Sequence, residues 1–333
     1  MPQLTIEAPA KINLHLRIKN LRPDGFHGLE SIFLALAFGD TLSFELLDRE
    51  GALEIHCRPP EFASTEFLPP EKNIIFKAIS LFREKTACNR GLRVTVDKRI
   101  PPGGGLGGGS SDAASSLLAL NTLCGKPLGE AALFETAASL GSDVPFFLTE
   151  TGAAWAAGRG EELLPLKSPQ NLSIVLVKPG FSSGTAGAFR LLDRYREKEG
   201  SRTEKRAGFE PENPENLKAE KRVALTEILS GPPRAWPYKN DFLPVFLEAG
   251  GKTAAGDGGE DGPAGQAAAY RRILSSLDEA EADFSSLSGS GSTCFGVFSN
   301  REKAEKAEKF LFKSWNFVKL TFPLARRANT VLK

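Results

Sequence analysis

Alternating apolar and polar positions mark the first elements. Leu92-Arg-Val94-Thr-Val96-Asp-Lys98 puts every second side chain on one apolar face, as a half-buried strand does. Thr5 to Ala8 starts an earlier strand, and Lys11 to Ile18 continues it with the same period. Helical spacing takes over in three places. Ile74, Ile75, Ala78, Ile79 and Phe82 predict a helix over 73–83, and Ala113, Leu117 and Leu120 share a face with Ala114 and Leu118 beside it. Glu130 to Leu140 reads as a third helix, stopped by Gly141. The apolar run Leu172 to Val177 predicts a buried strand opening the second half, and Thr293 to Phe298 another.

Between the strand at 92–98 and the helix at 113–120 lies Pro101-Pro102-Gly-Gly-Gly-Leu-Gly-Gly-Gly-Ser-Ser-Asp112, with glycine at six of the seven positions 103–109. Glycine lets backbone N–H groups turn inward and approach a ligand closely, and a helix N-terminus adds partial positive charge. Ser110 to Asp112 are expected to supply the helix cap, and Gly125 to lie just past its end. A strand before and a helix after favour a phosphate cradle over a flexible linker. Within this stretch no lysine follows a glycine as the Walker pattern requires. Gly103, Gly105 and Gly108 formally meet the dinucleotide fingerprint, yet Pro101-Pro102 separate them from the strand and no carboxylate lies about 20 residues on to hold a ribose.

Composition narrows the classes. The chain has 333 residues, enough for two domains, and its 42 basic against 41 acidic side chains give no charge argument for nucleic acid or membrane. No apolar run reaches membrane-spanning length and no signal segment opens the chain, so a cytoplasmic setting is expected. Cys57, Cys88, Cys124 and Cys294 are scattered without a C-x-x-C pair and read as reduced, mostly buried thiols. His15, His27 and His56 are too dispersed for a zinc site. Two stretches break the pattern: 196–222 is dense in charge and proline, 249–266 in Gly, Ala and Asp. Both read as exposed, partly disordered insertions without assigned function.

Pro101 to Ala114 closely resembles the second motif of the GHMP kinases, the superfamily of galactokinase, homoserine kinase and mevalonate kinase, whose loop wraps the phosphates of ATP. Its long form is most similar to the branch that acts on a cytidine diphospho-polyol. Four further segments support the resemblance in the family's order. They are Ala8-Pro-Ala-Lys-Ile-Asn-Leu14, Arg22-Pro-Asp-Gly-Phe-His-Gly-Leu29, Leu140-Gly-Ser-Asp-Val-Pro-Phe-Phe147 and Leu287-Ser-Gly-Ser-Gly-Ser292.

The resemblance implies an α+β fold of two domains with mixed sheets and helices and the active site in the cleft between them. An ATP-binding domain is expected over 1–165 and a second domain over 166–333. The implied activity is ATP-dependent phosphorylation of the 2-hydroxyl of 4-diphosphocytidyl-2-C-methyl-D-erythritol, a step of non-mevalonate isoprenoid precursor biosynthesis. ATP is then a substrate and Mg²⁺ is expected with it, although no carboxylate announces itself as a metal ligand.

Residue roles follow from the same resemblance. Pro101, Pro102, Gly103, Gly104, Gly105, Leu106, Gly107, Gly108, Gly109, Ser110 and Ser111 match the triphosphate cradle. Asp143 matches the base that takes the hydroxyl proton; read from the residues alone, it suits a helix N-cap equally well. Lys11 matches the cation that orients that Asp, and Asn13, on the same strand face, is placed to bind the polyol. Phe26 and His27 match the turn that holds cytosine, Phe26 standing where tyrosine is usual, with Phe189 as the opposing ring and Thr185 near the reacting hydroxyl. Asn73 and Lys98 match the adenine pocket; a helix cap and a surface charge are their alternatives. Gly289, Ser290 and Gly291 are expected to support the ATP loop without reacting.

Overall fold

In the computed structural model the described residues are 3–58, 73–200, 214–249, 262–326 and 331–332. Two long strands, β1 (Gln3–Leu21) and β2 (His27–Leu47), form an antiparallel hairpin at the centre of a seven-stranded sheet. The later half of β2 pairs with β4 (Gly91–Asp97), which is parallel to β3 (Leu53–Arg58). Its earlier half pairs with β5 (Ala153–Ala157), and β5 with β6 (Glu162–Leu166). The chain returns at its end, where β11 (Val331–Leu332) pairs with Leu4 and Thr5.

A second, antiparallel sheet has the order β10 (Phe317–Thr321), β7 (Ser173–Lys178), β9 (Cys294–Phe298), β8 (Phe284–Leu287). One face of the first sheet is covered by α1 (Ile74–Thr86), α2 (Gly108–Leu123) and α3 (Glu130–Leu140), around a core that includes Phe33, Phe44, Phe82, Leu117 and Leu120. Helices α4 (Thr185–Gly200), α6 (Phe242–Ala249), α7 (Pro263–Glu279) and α8 (Arg301–Leu311) pack on the second sheet through Leu192, Phe246, Ile273 and Leu311.

The two sheets meet through their remaining faces. Ala10, Ile12, Leu14, Ile32 and Leu34 pack with Ile174, Leu176, Phe295 and Val297, joined by Leu229 from α5 (Pro214–Ser230). Residues Ala8 to Leu14 of β1 are therefore buried without alternation, because helices lie on one side and a sheet on the other. Truncating such a side chain, Ile12→Ala for example, is worth about 2–5 kcal/mol of stability. Among the described residues no helix is long and apolar enough to cross a membrane.

The predicted strands and helices are present with shifts of a few residues. Asn73 caps α1, its side chain accepting from Ile75 N–H at 2.9 Å. Three expectations need correction. Gly107, not Ser110 to Asp112, caps α2; the three polar residues lie inside the helix itself, while Gly125 follows its end at φ +78 as expected. Cys88 and Cys124 are joined in a disulfide rather than reduced, because the C-terminal ends of α1 and α2 lie side by side. Of the other two thiols, Cys294 is buried and Cys57 exposed.

The insertions are also shorter than expected. Helix α4 runs to Gly200 and α5 begins at Pro214, so both ends of 196–222 are helical; α7 begins at Pro263, inside 249–266. Residues 201–213 and 250–261 lie outside the described residues.

Candidate active site

Lys11 sits where β1 is irregular. The pairing of β1 with β2 shifts register between Pro9 and Lys11 and again between Asn13 and His15. A proline removes a ladder donor and a bulge re-aims the side chains beside it. The Lys11 side chain is thereby held inside, 4% exposed. Its ammonium donates to Asn13 Oδ1 at 2.6 Å and lies 3.3 Å from Asp143 Oδ2. Asn13 in turn donates to Ser31 Oγ at 2.8 Å, and Ser31 to the His15 carbonyl at 2.6 Å. The shared strand face read from the sequence is thus a hydrogen-bonded row, with the Asn13 oxygen and one amide hydrogen committed to neighbours.

Asp143 comes from the turn that follows α3. The short 3₁₀ segment Pro145–Leu148 is entered through Val144 with no side-chain cap, so Asp143 does not serve as an N-cap. Its carboxylate remains about a third exposed while Lys11 beside it is buried.

The glycine loop is bound on two sides. From β1, Lys11 N–H donates to the Leu106 carbonyl at 2.9 Å. From the turn before β9, Ser288 Oγ donates to the Gly105 carbonyl at 2.9 Å, and Thr293 N–H to the Gly104 carbonyl at 3.2 Å. Two glycines are required by contact as well as by conformation. A Cβ on Gly105 (φ +72) would stand 2.2 Å from the Ser288 carbonyl, and one on Gly107 (φ +70) 2.9 Å from both Lys11 Cγ and Phe147 Cζ. The Gly289-Ser290-Gly291 turn therefore does support the loop. It is fixed by Asn240, whose amide donates to the carbonyls of Leu287 at 2.7 Å and Gly289 at 2.8 Å.

Beneath the start of α2, Lys98 Nζ lies between two carboxylates, 2.6 Å from Asp112 and in close contact with Asp40. Asp40 also accepts the backbone N–H of Ile100 at 2.8 Å. Burial, together with the Asp40 carboxylate, pushes the Asp112 carboxyl up to about 7 against the pull of Lys98. Two buried acids require a cation, and Lys98 is held as their counter-charge. The polar oxygen of Asn73 is likewise committed, to the cap of α1. The helix-cap alternative named for Asn73 is thus realised, while Lys98 is a paired, largely buried charge rather than a surface one.

Three polar atoms around the loop are buried without a partner: Ser111 Oγ, Asp112 Oδ1 and Thr293 Oγ1. Native interiors rarely leave such atoms unpaired, and here they surround the loop proposed to receive a ligand. Among the described residues no group of three or more His, Cys, Asp or Glu is arranged to hold a metal. An ion brought by a phosphate needs fewer protein ligands, and the unpaired Ser111 hydroxyl suits that arrangement.

A cavity of about 260 Å³ opens on this row of groups, and its lining includes Lys11, Asn13, Gly105, Gly107, Asp143 and Ser290 together with Leu29, Thr185, Phe189 and Phe242. Thr185 begins α4 and its hydroxyl lies 3.2 Å from that of Ser290. His27 stacks on Phe189 with ring centroids 5.1 Å apart and planes 16° from parallel. Its Nδ1 lies 3.2 Å from the Lys19 carbonyl and its Nε2 3.3 Å from Asp193. Phe26 does not face Phe189 as expected. It is 55% exposed at the hairpin tip with the Arg159 guanidinium over its ring at 5.2 Å, and His27 takes the place opposite Phe189. A larger cavity of about 370 Å³ lies between 167–172 and 229–233, away from these groups, and offers Lys167 as its only charged side chain.

Sequence reasoning missed Asp40, Ser31, Asn240 and the pairing role of Asp112. Asp112 was visible as part of the loop motif. The others carry no local signal, since each matters only through a partner distant in the chain.

Comparison with known proteins places the chain's sequence and fold beside those of known kinases. Residues 73–151 match the model of the GHMP kinases N terminal domain, and residues 266–316 that of the GHMP kinases C terminal. A 4-diphosphocytidyl-2-C-methyl-D-erythritol kinase of Treponema pallidum (strain Nichols) is 34% identical over 316 residues, covering 95% of this chain and 97% of its own. The chloroplastic kinase of the same name from Arabidopsis thaliana is 34% identical over 280 residues, covering 79% of this chain and 70% of its own. A crystal structure of 4-(cytidine 5'-diphospho)-2C-methyl-D-erythritol kinase superposes with a TM-score of 0.66 at 29% identity, over 96% of this chain and 98% of that one. A homoserine kinase from Cytophaga hutchinsonii shares the fold, with a TM-score of 0.64 at 16% identity over 99% and 97% of the two chains.

Proposed function

This chain belongs to the 4-diphosphocytidyl-2-C-methyl-D-erythritol kinases, a branch of the GHMP kinases, and from that premise we propose that Asp143, Lys11 and the 101–111 loop carry out the phosphoryl transfer. The chain is an ATP-dependent kinase of non-mevalonate isoprenoid precursor synthesis. The acceptor is the 2-hydroxyl of the diphosphocytidyl polyol. The ion pair of Lys11 and Asp143, facing the same cavity as Gly105 and Gly107, carries the residue assignment.

Phosphoryl transfer needs little covalent help from the protein and much positioning. The acceptor hydroxyl lies between Asp143 and the γ-phosphorus. Its oxygen forms the new P–O bond as the bond to the ADP oxygen breaks, and its proton passes to the Asp143 carboxylate. Lys11 keeps Asp143 aimed at the hydroxyl and sets a positive charge beside the group in flight. The loop N–H groups and the first turn of α2 hold the phosphates, with Ser110 and Ser111 as hydroxyl donors. The unpaired Ser111 hydroxyl would help to hold a Mg²⁺ ion brought by the nucleotide, which would supply charge neutralisation.

Phe189, which lines the cavity, and His27, stacked on it, receive the cytidine, with Phe26 at the rim, and Thr185 lies towards the polyol. An N-terminal ATP-binding unit, 1–165, and a second unit, 166–333, belong to the same proposal; the first sheet's consecutive strands end at Leu166 and the second sheet starts at Ser173. We place the reaction in the cytoplasm with a small molecule as its partner. The near balance of 42 basic and 41 acidic side chains gives no charge argument for nucleic acid or a membrane surface as a partner.

A coupled ADP-release assay tests this reading. Turnover is expected with the diphosphocytidyl polyol and not with homoserine or mevalonate. Equal turnover on homoserine would remove the substrate assignment, and no ADP release with any alcohol would remove the kinase mechanism.

A further inference from the structure

Three lysines lie close to the glycine loop, and they differ in what neutralises them. Lys11 is paired with Asp143, and Lys98 with Asp40 and Asp112. Lys178, the last residue of β7, is 9% exposed and has no carboxylate partner among the described residues. Its ammonium donates only to backbone carbonyls, that of Pro179 at 3.1 Å and that of Phe181 at 2.9 Å.

Its position is specific. A Cβ on Gly104 would stand 3.5 Å from Lys178 Cδ and 2.7 Å from the unpartnered Thr293 hydroxyl. The turn that Lys178 ties down continues into Ser182 and Ser183. Ser182 packs against Gly103, where a Cβ would lie 2.6 Å from the Ser182 Cβ, and Ser183 N–H donates to the Gly103 carbonyl at 3.3 Å. The Phe181 carbonyl that accepts from Lys178 also accepts from Ser292 Oγ at 2.7 Å, and Ser292 N–H reaches the Gly103 carbonyl at 3.4 Å. The uncompensated ammonium therefore lies in the layer directly under Gly103 and Gly104.

A buried charge with no counter-charge is expensive to keep, and proteins normally pair it or lose it. We propose that Lys178 is the buried counter-charge of the nucleotide's phosphates, a positioning residue whose missing anion is supplied when ATP enters the loop. Burial draws its pKa below the ordinary lysine range, a penalty on the charged form that an incoming anion would offset. The inference rests on the reading that residues 101–111 hold ATP.

The test is nucleotide binding and thermal unfolding of the full chain carrying Lys178→Met, Lys178→Arg or Lys178→Gln, with ATP and adenosine as probes at low and high salt. For Lys178→Met the ATP dissociation constant should rise about tenfold or more. Adenosine binding should be unchanged, and the unfolding temperature without ligand should be no lower than that of the native chain. Lys178→Arg should keep most of the ATP affinity, and its behaviour against Lys178→Gln decides the matter if the Met variant does not fold. Unchanged ATP affinity together with a lowered ligand-free unfolding temperature would overturn the proposal and leave Lys178 as a pin for the 179–181 turn. Loss of adenosine and ATP binding alike would overturn it too. If the native chain itself bound no ATP, the reading of the loop would fall first, which the native control distinguishes.

Discussion

The Lys11 ammonium lies 3.3 Å from the Asp143 carboxylate, although 132 positions separate them, as their numbers give (143 − 11). One residue is fixed by a strand irregularity, the other by the turn after a helix, and both face the cavity behind the glycine loop. Removing the carboxylate while keeping its shape isolates proton transfer. Asp143→Asn is expected to lower kcat by about 10²–10⁴ with the KM for ATP within a few-fold. Lys11→Met should act on the same step, so the double variant should be little worse than the poorer single one. Additive losses in steady-state assays would show that the two residues do not act as a unit.

Gly105→Ala places a methyl group against the Ser288 carbonyl at a backbone φ of +72. Backbone cannot yield as a flexible side chain does, so the loop must move. A loss of about 1–3 kcal/mol in stability and a rise in the KM for ATP are expected. Denaturant titration and an ATP saturation curve check both; unchanged values would mean that the loop is not fastened by the Ser288 turn.

The Cys88–Cys124 bond closes a covalent ring around β4, the glycine loop and α2, with a sequence separation of 36. Cross-linking chiefly restricts the unfolded chain, so reduction or Cys124→Ser should cost about 2–4 kcal/mol. Thiol counting gives the check. The denatured, unreduced chain should yield two thiols, Cys57 and Cys294, and the reduced one four. Four thiols before reduction would rule the bond out.

His15 gives a pH dependence of definite sign. Burial draws its imidazole below its ordinary value of 6.5, with Lys239 and Arg17 acting in the same direction and Glu30 and Asp241 against it. Its Nδ1 lies 3.3 Å from Lys239 N–H and accepts from it only while unprotonated. Below about 6.5 the unfolded chain binds the proton that the folded chain resists, so this contribution is complete above 6.5 and declines as pH falls. Unfolding temperatures from pH 8 to 5 should drop less steeply in His15→Gln than in the native chain. Parallel curves would remove His15 from the account.

Local pattern determined a good deal of this protein. Period two and helical spacing revealed β4, α1, α2 and α3, and a continuous apolar run revealed β7, whose two faces are both buried. The density of glycine at 103–109 announced a backbone-lined cradle, since no other residue admits Gly105 and Gly107 at positive φ against such close neighbours. What the tertiary structure decided are relationships between distant parts of the chain. Asn73 and Lys98 proved to cap a helix and to neutralise Asp40 and Asp112. Phe26 gave its place opposite Phe189 to His27, and Cys88 met Cys124. A side chain's partner is set by how helices pack on sheets, and packing depends on every element at once. The periodicity of one segment carries no record of which residue, a hundred positions away, will stand beside it.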